Sequence, residues 1–515
     1  MIALHRFTKI VLFSLYFLIL LAVSGKLFFE KSFDGAASWI FQKFHQTSQQ
    51  TLVIGLSGPG ISLSPLANDI DSRARLLHMY EPLVRVNANL QIEPALAVSY
   101  GSLDDFTWEF RLRPAVRFHD GTTLAVDDVL SSLQQAKENP ASSVKDLVQN
   151  IEGVQKIDEQ IFHVITSAPD PLLLQKLSSI LVFKSRPSLS EDKQSNEPLG
   201  TGPYIKQNED KNFLSLKRFE GYWGSAPAFQ NVTIQTFRSK EEKIAALQNK
   251  SVDILVNVPP DTAKNFHFAD FDLKALPSLE VNFLMFHFDK TFKSKSLRRA
   301  VALALNAAEL SKLTQGFAVP VNQFVGSGIF GFDPSISTIS PDIVAAQTLV
   351  KEVENFSRIS TTLDLPKGLE VFGASVKNQL QKVGIDVTLQ FLDASALSQK
   401  ITKRQSEFYF FGWRTDLGDS GDFLTAVAHS PGQNFGQFNG GNYRNAEVDR
   451  LIEISQTTTE QNRRLEKLRQ AMHKITVDDV IGVPLFAPEL LYGVSTDLNW
   501  KPRVDGYVLA QEAKL

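Results

Sequence analysis

The sequence contains no cysteine among its 515 residues. Disulfide bonds, thiolate metal sites and a cysteine nucleophile are therefore excluded, because each of them needs a thiol. A lipid anchor on an N-terminal cysteine is excluded for the same reason. Any attachment to a membrane must use other chemistry.

The sequence also lacks the short motifs that mark common catalytic sites. It has no HExxH zinc helix, no GxSxG nucleophile turn and no phosphate-binding GxxxxGK loop. Gly200 and Gly202 resemble part of a dinucleotide loop, but Pro203 follows them and removes a backbone donor that such a loop needs. We therefore expect no enzymatic activity and no bound cofactor, and we assign these glycines to turns.

Little excess charge of either sign is present. The 53 basic and 56 acidic residues give a formal net charge of −3, which provides no electrostatic footprint for nucleic acid. Asp416, Asp419 and Asp422 recur at three-residue spacing, but calcium loops use alternate positions and a closing glutamate. Neither a metal site nor a nucleic-acid partner is expected.

The N-terminus carries an export signal or a membrane anchor. Arg6 and Lys9 precede a largely apolar stretch over residues 10–29. Ala22-Val23-Ser24 fits a signal-peptide cleavage site, whereas the partly polar stalk of residues 30–50 favours retention as an anchor. Both alternatives place the remainder of the chain outside the cytoplasm, and the anchor is the alternative we favour.

The most informative motifs lie between Tyr80 and Leu130. A helix end at Tyr80-Glu81 is followed by Pro94-Ala95-Leu96-Ala97, by an aromatic strand over Thr107 to Leu112, and by a turn at His119-Asp120-Gly121. A helix is predicted from about Asp127. This order resembles that of the family 5 extracellular solute-binding proteins, the peptide and nickel receptors of ABC importers.

Further motifs continue the resemblance from Thr51 to about Tyr507. They are Leu199 to Tyr204 (the GTGPY motif), Arg218 to Gly224 (the YWG motif), the helix of Leu297 to Asn306, the helix of Val371 to Val383 with the strand of Gly384 to Val387, and Asn442 to Asp449.

The resemblance implies an α/β fold of the two-lobed periplasmic-binding-protein type (type II, cluster C) with an additional subdomain. By motif order, lobe I comprises residues 51–84, 201–277 and 485–515, the additional subdomain residues 85–200, and lobe II residues 278–484. The connections between the lobes are expected near Leu276 to Ser278 and near Pro484. A ligand cavity is expected between the lobes.

The resemblance also implies a function. The chain is expected to act as a monomeric extracytoplasmic receptor that captures short peptides and delivers them to ABC permease subunits. Two alternatives stay open: a receptor of the same fold for a nickel chelate, a sugar or another solute, and a sensing domain without transport.

The candidate ligand-binding residues lie in the segment Phe411 to Phe423. This segment resembles one that enters the cleft in the family, where the aspartate three residues after the tryptophan pairs with the α-amino group of a peptide. The resemblance gives that role to Asp416. By their chemistry, Trp413 offers a flat apolar wall or a cation contact, and Arg414 either pairs with a ligand carboxylate or faces solvent. The alternative is that aspartates here cap the following helix, and we interpret Asp419 and Asp422 in that way.

Overall fold

The computed structural model describes residues 51–58, 60, 62–184, 198–353 and 359–515. The predicted anchor at residues 10–29 and the stalk at residues 30–50 lie outside the described residues. Across the described ranges, no helix has both the length and the apolar character needed to span a bilayer.

The described chain alternates strands and helices, as the α/β prediction requires. The strands are β1 (Thr51–Leu56), β2 (Glu81–Pro82), β3 (Val84–Val86), β4 (Ile92–Pro94), β5 (Ala97–Ser102), β6 (Thr107–Leu112), β7 (Ile151–Lys156), β8 (Ile161–Thr166), β9 (Leu181–Val182), β10 (Tyr204–Glu209), β11 (Phe213–Arg218), β12 (Asn231–Thr236), β13 (Ile254–Val256), β14 (Phe271–Pro277), β15 (Glu280–Phe286), β16 (Ala318–Pro320), β17 (Ile359–Pro366), β18 (Ile385–Leu392), β19 (Phe408–Arg414) and β20 (Gly482–Ser495). The α-helices are α1 (Ile70–Leu76), α2 (Val126–Glu138), α3 (Leu173–Leu177), α4 (Lys240–Gln248), α5 (Pro260–Lys264), α6 (Lys295–Ala304), α7 (Ala307–Lys312), α8 (Ile343–Lys351), α9 (Glu370–Gln381), α10 (Ala394–Thr402), α11 (Gly421–Phe423), α12 (Ala446–Thr457) and α13 (Gln461–His473).

One 12-stranded mixed sheet forms the centre of the molecule, in the order β10-β11-β12-β1-β13-β20-β15-β19-β17-β18, with β14 and β16 also paired to β20. The long strand β20 belongs to both halves of this sheet. Its residues 482–486 pair with β15, and its residues 489–495 pair with β14. The chain therefore crosses between the halves at residues 277–280 and at residues 486–489, a few residues beyond Pro484.

A separate four-stranded antiparallel sheet, β5-β6-β8-β7, lies within residues 85–200. Strand β8 alternates half-buried and buried side chains, which is the pattern of a strand with one face in a core. Phe110 and Phe162 stack on that inner face at 5.4 Å between ring centroids. This sheet shares a hydrophobic core with the β1 half of the central sheet.

The other half of the central sheet is covered on both faces. Along β15, Leu284 and Phe286 enter one hydrophobic cluster, whereas Phe283 and Met285 enter another. Because successive side chains of a strand point to opposite faces, a strand buried on both sides reads as an apolar run. The sequence Val-Asn-Phe-Leu-Met-Phe at residues 281–286 is such a run.

Gly200 and Gly202 allow two chain segments to approach closely. A Cβ atom on Gly200 would lie 1.9 Å from the carbonyl oxygen of Met79, and one on Gly202 would lie 2.5 Å from the carbonyl carbon of the same residue. The Gly202 amide donates to the Met79 carbonyl at 2.9 Å. These glycines therefore join the end of α1 to the start of β10, which is a structural role.

Candidate functional site

A cleft-like cavity in the described part of the chain has a volume of about 770 Å³. Its wall combines α1, the β3–β4 hairpin, the end of β19 and the C-terminal residues 503–512. The wall thus draws on β19, in one half of the central sheet, and on α1, whose buried side chains share a core with those of β1 in the other half. A cavity of this size, walled by several elements, is the usual form of a small-ligand site.

Two of the three predicted ligand-binding residues meet in this wall. Arg414 is the last residue of β19, and its Nε atom donates to Asp416 Oδ1 at 2.5 Å. Its Nη2 atom donates to the carbonyl oxygen of Asp505 at 2.8 Å. The Asp416 side chain keeps 70% of its surface exposed, so its carboxylate is accessible from the cavity.

The third predicted residue, Trp413, packs behind the wall. As the neighbour of Arg414 on β19, it points to the opposite face of the strand. Its ring lies 5.6 Å from that of Phe438 and 6.3 Å from that of Phe423, centroid to centroid. This places Trp413 in the hydrophobic cluster under the cavity, and its contact with a ligand stays a prediction.

Asp422 is half-buried and lies beside Trp413. The indole Nε1 atom of Trp413 donates to Asp422 Oδ1 at 3.4 Å, and the amide of Phe423 donates to the same oxygen at 2.5 Å. Burial raises the pKa of Asp422 to about 8, an effect that these two hydrogen bonds only partly oppose. Asp422 therefore carries a proton at neutral pH.

The raised pKa of Asp422 predicts that the stability of the folded protein depends on pH. The ordinary pKa of the Asp422 carboxyl is 3.8 and its folded pKa is about 8, so the folded state binds one more proton than the unfolded state between these values. The free energy of unfolding is therefore expected to fall as the pH rises through this window. Asp422→Asn stays neutral and should flatten that part of the profile. Urea unfolding of both proteins at several pH values gives the difference curve, and parallel profiles would contradict the assignment.

Asp419 has a structural partner. Its carboxylate accepts hydrogen bonds from both Nη atoms of Arg464 and, at 2.8 Å, from the amide of Gly421. Both charged side chains are buried, with 2% and 5% of their surfaces exposed. This pair fixes the loop that carries Asp416 onto helix α13.

The sequence of the chain matches a known family over a segment that contains Trp413, Arg414 and Asp416. The profile of the bacterial extracellular solute-binding proteins, family 5, aligns with residues 91–435. The chain belongs to this family. It is thus the extracytoplasmic substrate-binding receptor of an ABC importer, and its relatives are solute-binding proteins, not enzymes.

Individual family 5 proteins resemble the chain over most of its length. The glutathione-binding protein GsiB of Escherichia coli K12 is 26% identical over 476 residues, which covers 87% of this chain and 91% of that protein. The structure of DppA from Helicobacter pylori, solved with the peptide STSA, superposes with a TM-score of 0.69 at 21% identity and covers 90% of this chain and 98% of that one. The structure of NikA from Staphylococcus aureus, solved with Ni(L-His)2, gives a TM-score of 0.67 at 19% identity and covers 90% of this chain and 99% of that one.

Several residues of the cavity wall in this chain were not predicted as site residues. Glu81 is buried and accepts three side-chain hydrogen bonds at 2.9 Å, from Thr201 Oγ1, Tyr222 Oη and Trp223 Nε1. Burial raises the pKa of Glu81, against the effect of these three donors. The network joins three motifs of the family, Glu81-Pro82-Leu83, GTGPY and YWG, so the motifs themselves were the available signal.

No sequence motif indicated that the C-terminal part of the chain would belong to the cavity wall. Arg503 donates to Asp505 and Glu512, with closest distances of 2.6 Å to each, and to the carbonyl oxygen of Val86 at 2.9 Å. Tyr507 lies nearby in the same wall. These residues become neighbours of the β3–β4 hairpin only through the fold.

Proposed function

We propose that this receptor captures short peptides in the cavity and delivers them to an ABC permease. The observation that carries the proposal is the Asp416 carboxylate, which is accessible in the wall of the cavity beside the end of β19. A carboxylate in such a place binds an ammonium group through short charge-assisted hydrogen bonds. The α-amino group of a peptide supplies that ammonium.

The charges of the wall support a ligand with both signs of charge. Five carboxylate residues and four arginines line the cavity: Glu81, Glu93, Asp416, Asp505 and Glu512, and Arg73, Arg85, Arg414 and Arg503. A zwitterion such as a peptide matches this mixed field at both of its ends. The names of GsiB and of the DppA complex, which refer to glutathione and to a tetrapeptide, agree with such a ligand.

A nickel chelate receives less support from the same wall. Imidazole is a common ligand of nickel in proteins. Among the described residues that line the cavity there is no histidine. Binding of a nickel chelate is therefore one of the results that the experiment described next distinguishes.

Calorimetric titration of the purified receptor tests the proposal. The titrants are a mixture of random-sequence tri- and tetrapeptides, glutathione, and the nickel–histidine complex. We expect saturable binding of peptides and none of the nickel complex. Saturable binding of the nickel complex alone would contradict a peptide receptor.

We further propose that residues 10–29 anchor the receptor to the outer face of the membrane, with the cavity facing away from the cytoplasm.

The expected result for attachment is that the full chain stays in the membrane fraction after carbonate extraction and keeps its original N-terminus. The long side chain of Lys26 reaches the headgroup layer in that arrangement. N-terminal sequencing of protein from the native host provides the measurement. A mature chain that begins at Gly25 and is soluble would show cleavage instead, and the receptor function would be unaffected.

A further inference from the structure

The tip of the β3–β4 hairpin lies against the loop that follows β19. The base of the hairpin belongs to one hydrophobic core, in which Val84 is buried and against which Ile92 packs. Leu90, at the tip, packs instead against a second cluster, whose buried members all lie within residues 279–481. A Cβ atom on Gly418 would lie 3.4 Å from the Leu90 Cβ atom, so the tip and the loop are neighbours. One short hairpin thus links the two cores.

Leu90 holds this position with a strained backbone. Its φ is +63°, in the left-handed region that glycine and asparagine accept and that is unfavourable for leucine. Hydrogen bonds within the tip fix the conformation, because Asn87 Oδ1 accepts from the amides of Asn89 and Gln91 at 2.9 and 3.0 Å. Such strain persists only where the surrounding structure holds it, and it is concentrated in ligand clamps and switch segments.

A second hairpin makes a contact with the same part of the molecule. In the turn between β5 and β6, Asp105 Oδ1 accepts a hydrogen bond from Thr459 Oγ1 at 2.8 Å. Thr459 lies between α12 and α13, whose buried apolar residues belong to the cluster that receives Leu90. Both partners are described residues, and neither lines the cavity. This contact therefore joins the same two parts of the molecule without touching the ligand site.

Both contacts are far easier to break than the chain crossings at residues 277–280 and 486–489. The crossings are covalent and continue the central sheet, whereas each hairpin contact depends on side chains that meet across a surface. In hinge closure, a few chain positions absorb the motion, and the surfaces that come together can separate again. Removing a contact that exists only in the closed arrangement shifts the population toward the open one.

The contact of Leu90 lies beside the proposed ammonium site. Leu90, Leu417 and Asp416 all line the cavity, and Asp416 precedes Gly418 by two residues. A contact between two walls of a cavity opposes their separation. Because release of a bound molecule often waits for such an opening, the contact is expected to act mainly on the dissociation rate.

We propose that Leu90 is a clasp that holds the β3–β4 hairpin on the loop of residues 415–418 and thereby sets the rate at which the bound solute leaves. This inference rests on the proposed function, because a peptide held at Asp416 lies beside the clasp. The hydrogen bond between Asp105 and Thr459 is a second, weaker clasp. Since it lies outside the cavity, it separates an effect on closure from a direct contact with the ligand.

The experiment measures the release of a radiolabelled mixture of random-sequence tri- and tetrapeptides from the loaded receptor into an excess of the unlabelled mixture. Leu90→Gly removes the side chain and relieves the backbone, and it should shorten the half-time of release at least about tenfold. Leu90→Met keeps an apolar side chain and should stay within about twofold of the unmutated receptor. Thr459→Val removes only the distant hydrogen bond and should shorten the half-time about two- to threefold.

Gln315→Gly is the matched control, because Gln315 has the same φ of +63° and an exposed side chain. It should leave the half-time unchanged. Leu90→Asn tolerates the left-handed backbone without the apolar contact, so it replaces the glycine variant if that variant fails to fold.

Release from Leu90→Gly at the unmutated rate would overturn the clasp while the peptide function stands. Fast release from Leu90→Gly with an unchanged rate from Thr459→Val would also overturn it, because Leu90 would then act as a ligand contact. An unmutated receptor that retains no labelled peptide would contradict the proposed function itself, and the clasp with it.

Discussion

Replacement of Asp419 by asparagine is expected to lower the free energy of unfolding by about 3–5 kcal/mol, the cost of leaving a buried charge without its partner. The asparagine retains an acceptor for the Gly421 amide, but the guanidinium of Arg464 then stays buried without a negative charge. Its Nε atom remains bonded to the carbonyl oxygen of Ser455 at 2.9 Å, which holds it in place. Urea unfolding at neutral pH measures the loss.

Asp270→Asn provides the control for an ion pair at the surface. Asp270 lies 2.8 Å from Lys250, and both side chains are more than half exposed. Solvent screens such pairs, so the expected change is about 0.5 kcal/mol or less. Similar losses in the two variants would mean that the Asp419 pair is no more important than a surface contact.

The second large effect concerns binding. Asp416→Asn should weaken peptides with a free amino group by about 2 kcal/mol, or roughly 30-fold, because a charge-assisted contact becomes a neutral one. N-acetylated peptides should bind weakly to the unmutated receptor and should respond little to the substitution. Calorimetry with the two kinds of peptide separates the ammonium contact from all other contacts.

Asp497→Asn is the matched control for this binding experiment, because Asp497 is an exposed residue of the same type. It should leave the affinity unchanged. Equal affinity of the unmutated receptor for acetylated and free peptides would remove Asp416 from the role of ammonium partner. The cavity would then need another anchor for the ligand.

Much of the fold could be predicted because local patterns agree with the final contacts. The strand predicted over Thr107 to Leu112 is confirmed as β6, residue for residue. The helix predicted over Val371 to Val383 is confirmed as α9, with its start shifted by one residue and its end by two. Their apolar periodicity is the same property that buries them.

The strand β20 shows where local patterns were insufficient. Motif order suggested a connection between lobes near Pro484, where proline fixes the chain locally and leaves bending to its neighbours. In the structure Pro484 lies inside a strand of 14 residues. The pairing with β15 shifts register between Asn282 and Phe283, opposite Pro484 and Phe486, and this irregularity accommodates the missing donor. Whether a strand can contain a proline therefore depends on its pairing with the neighbouring strand, which the local sequence does not show.

The candidate site was predictable only in part for a similar reason. Arg414 and Asp416 are close in sequence, so one motif identified both. Arg73 and Tyr507 are separated by more than four hundred residues and meet only when the C-terminal segment packs beside α1. No local pattern indicates that these two residues line the same cavity.

Mass spectrometry of the solute retained by the full chain tests the central claim most directly. The receptor is purified under native conditions from cells grown in peptide-rich medium, and the bound fraction is released by denaturation. The account predicts short peptides with free amino and carboxyl ends, and markedly less of them on the Asp416→Asn variant. A retained solute that has no peptide bond, or a receptor that carries no peptide in any preparation, would contradict it.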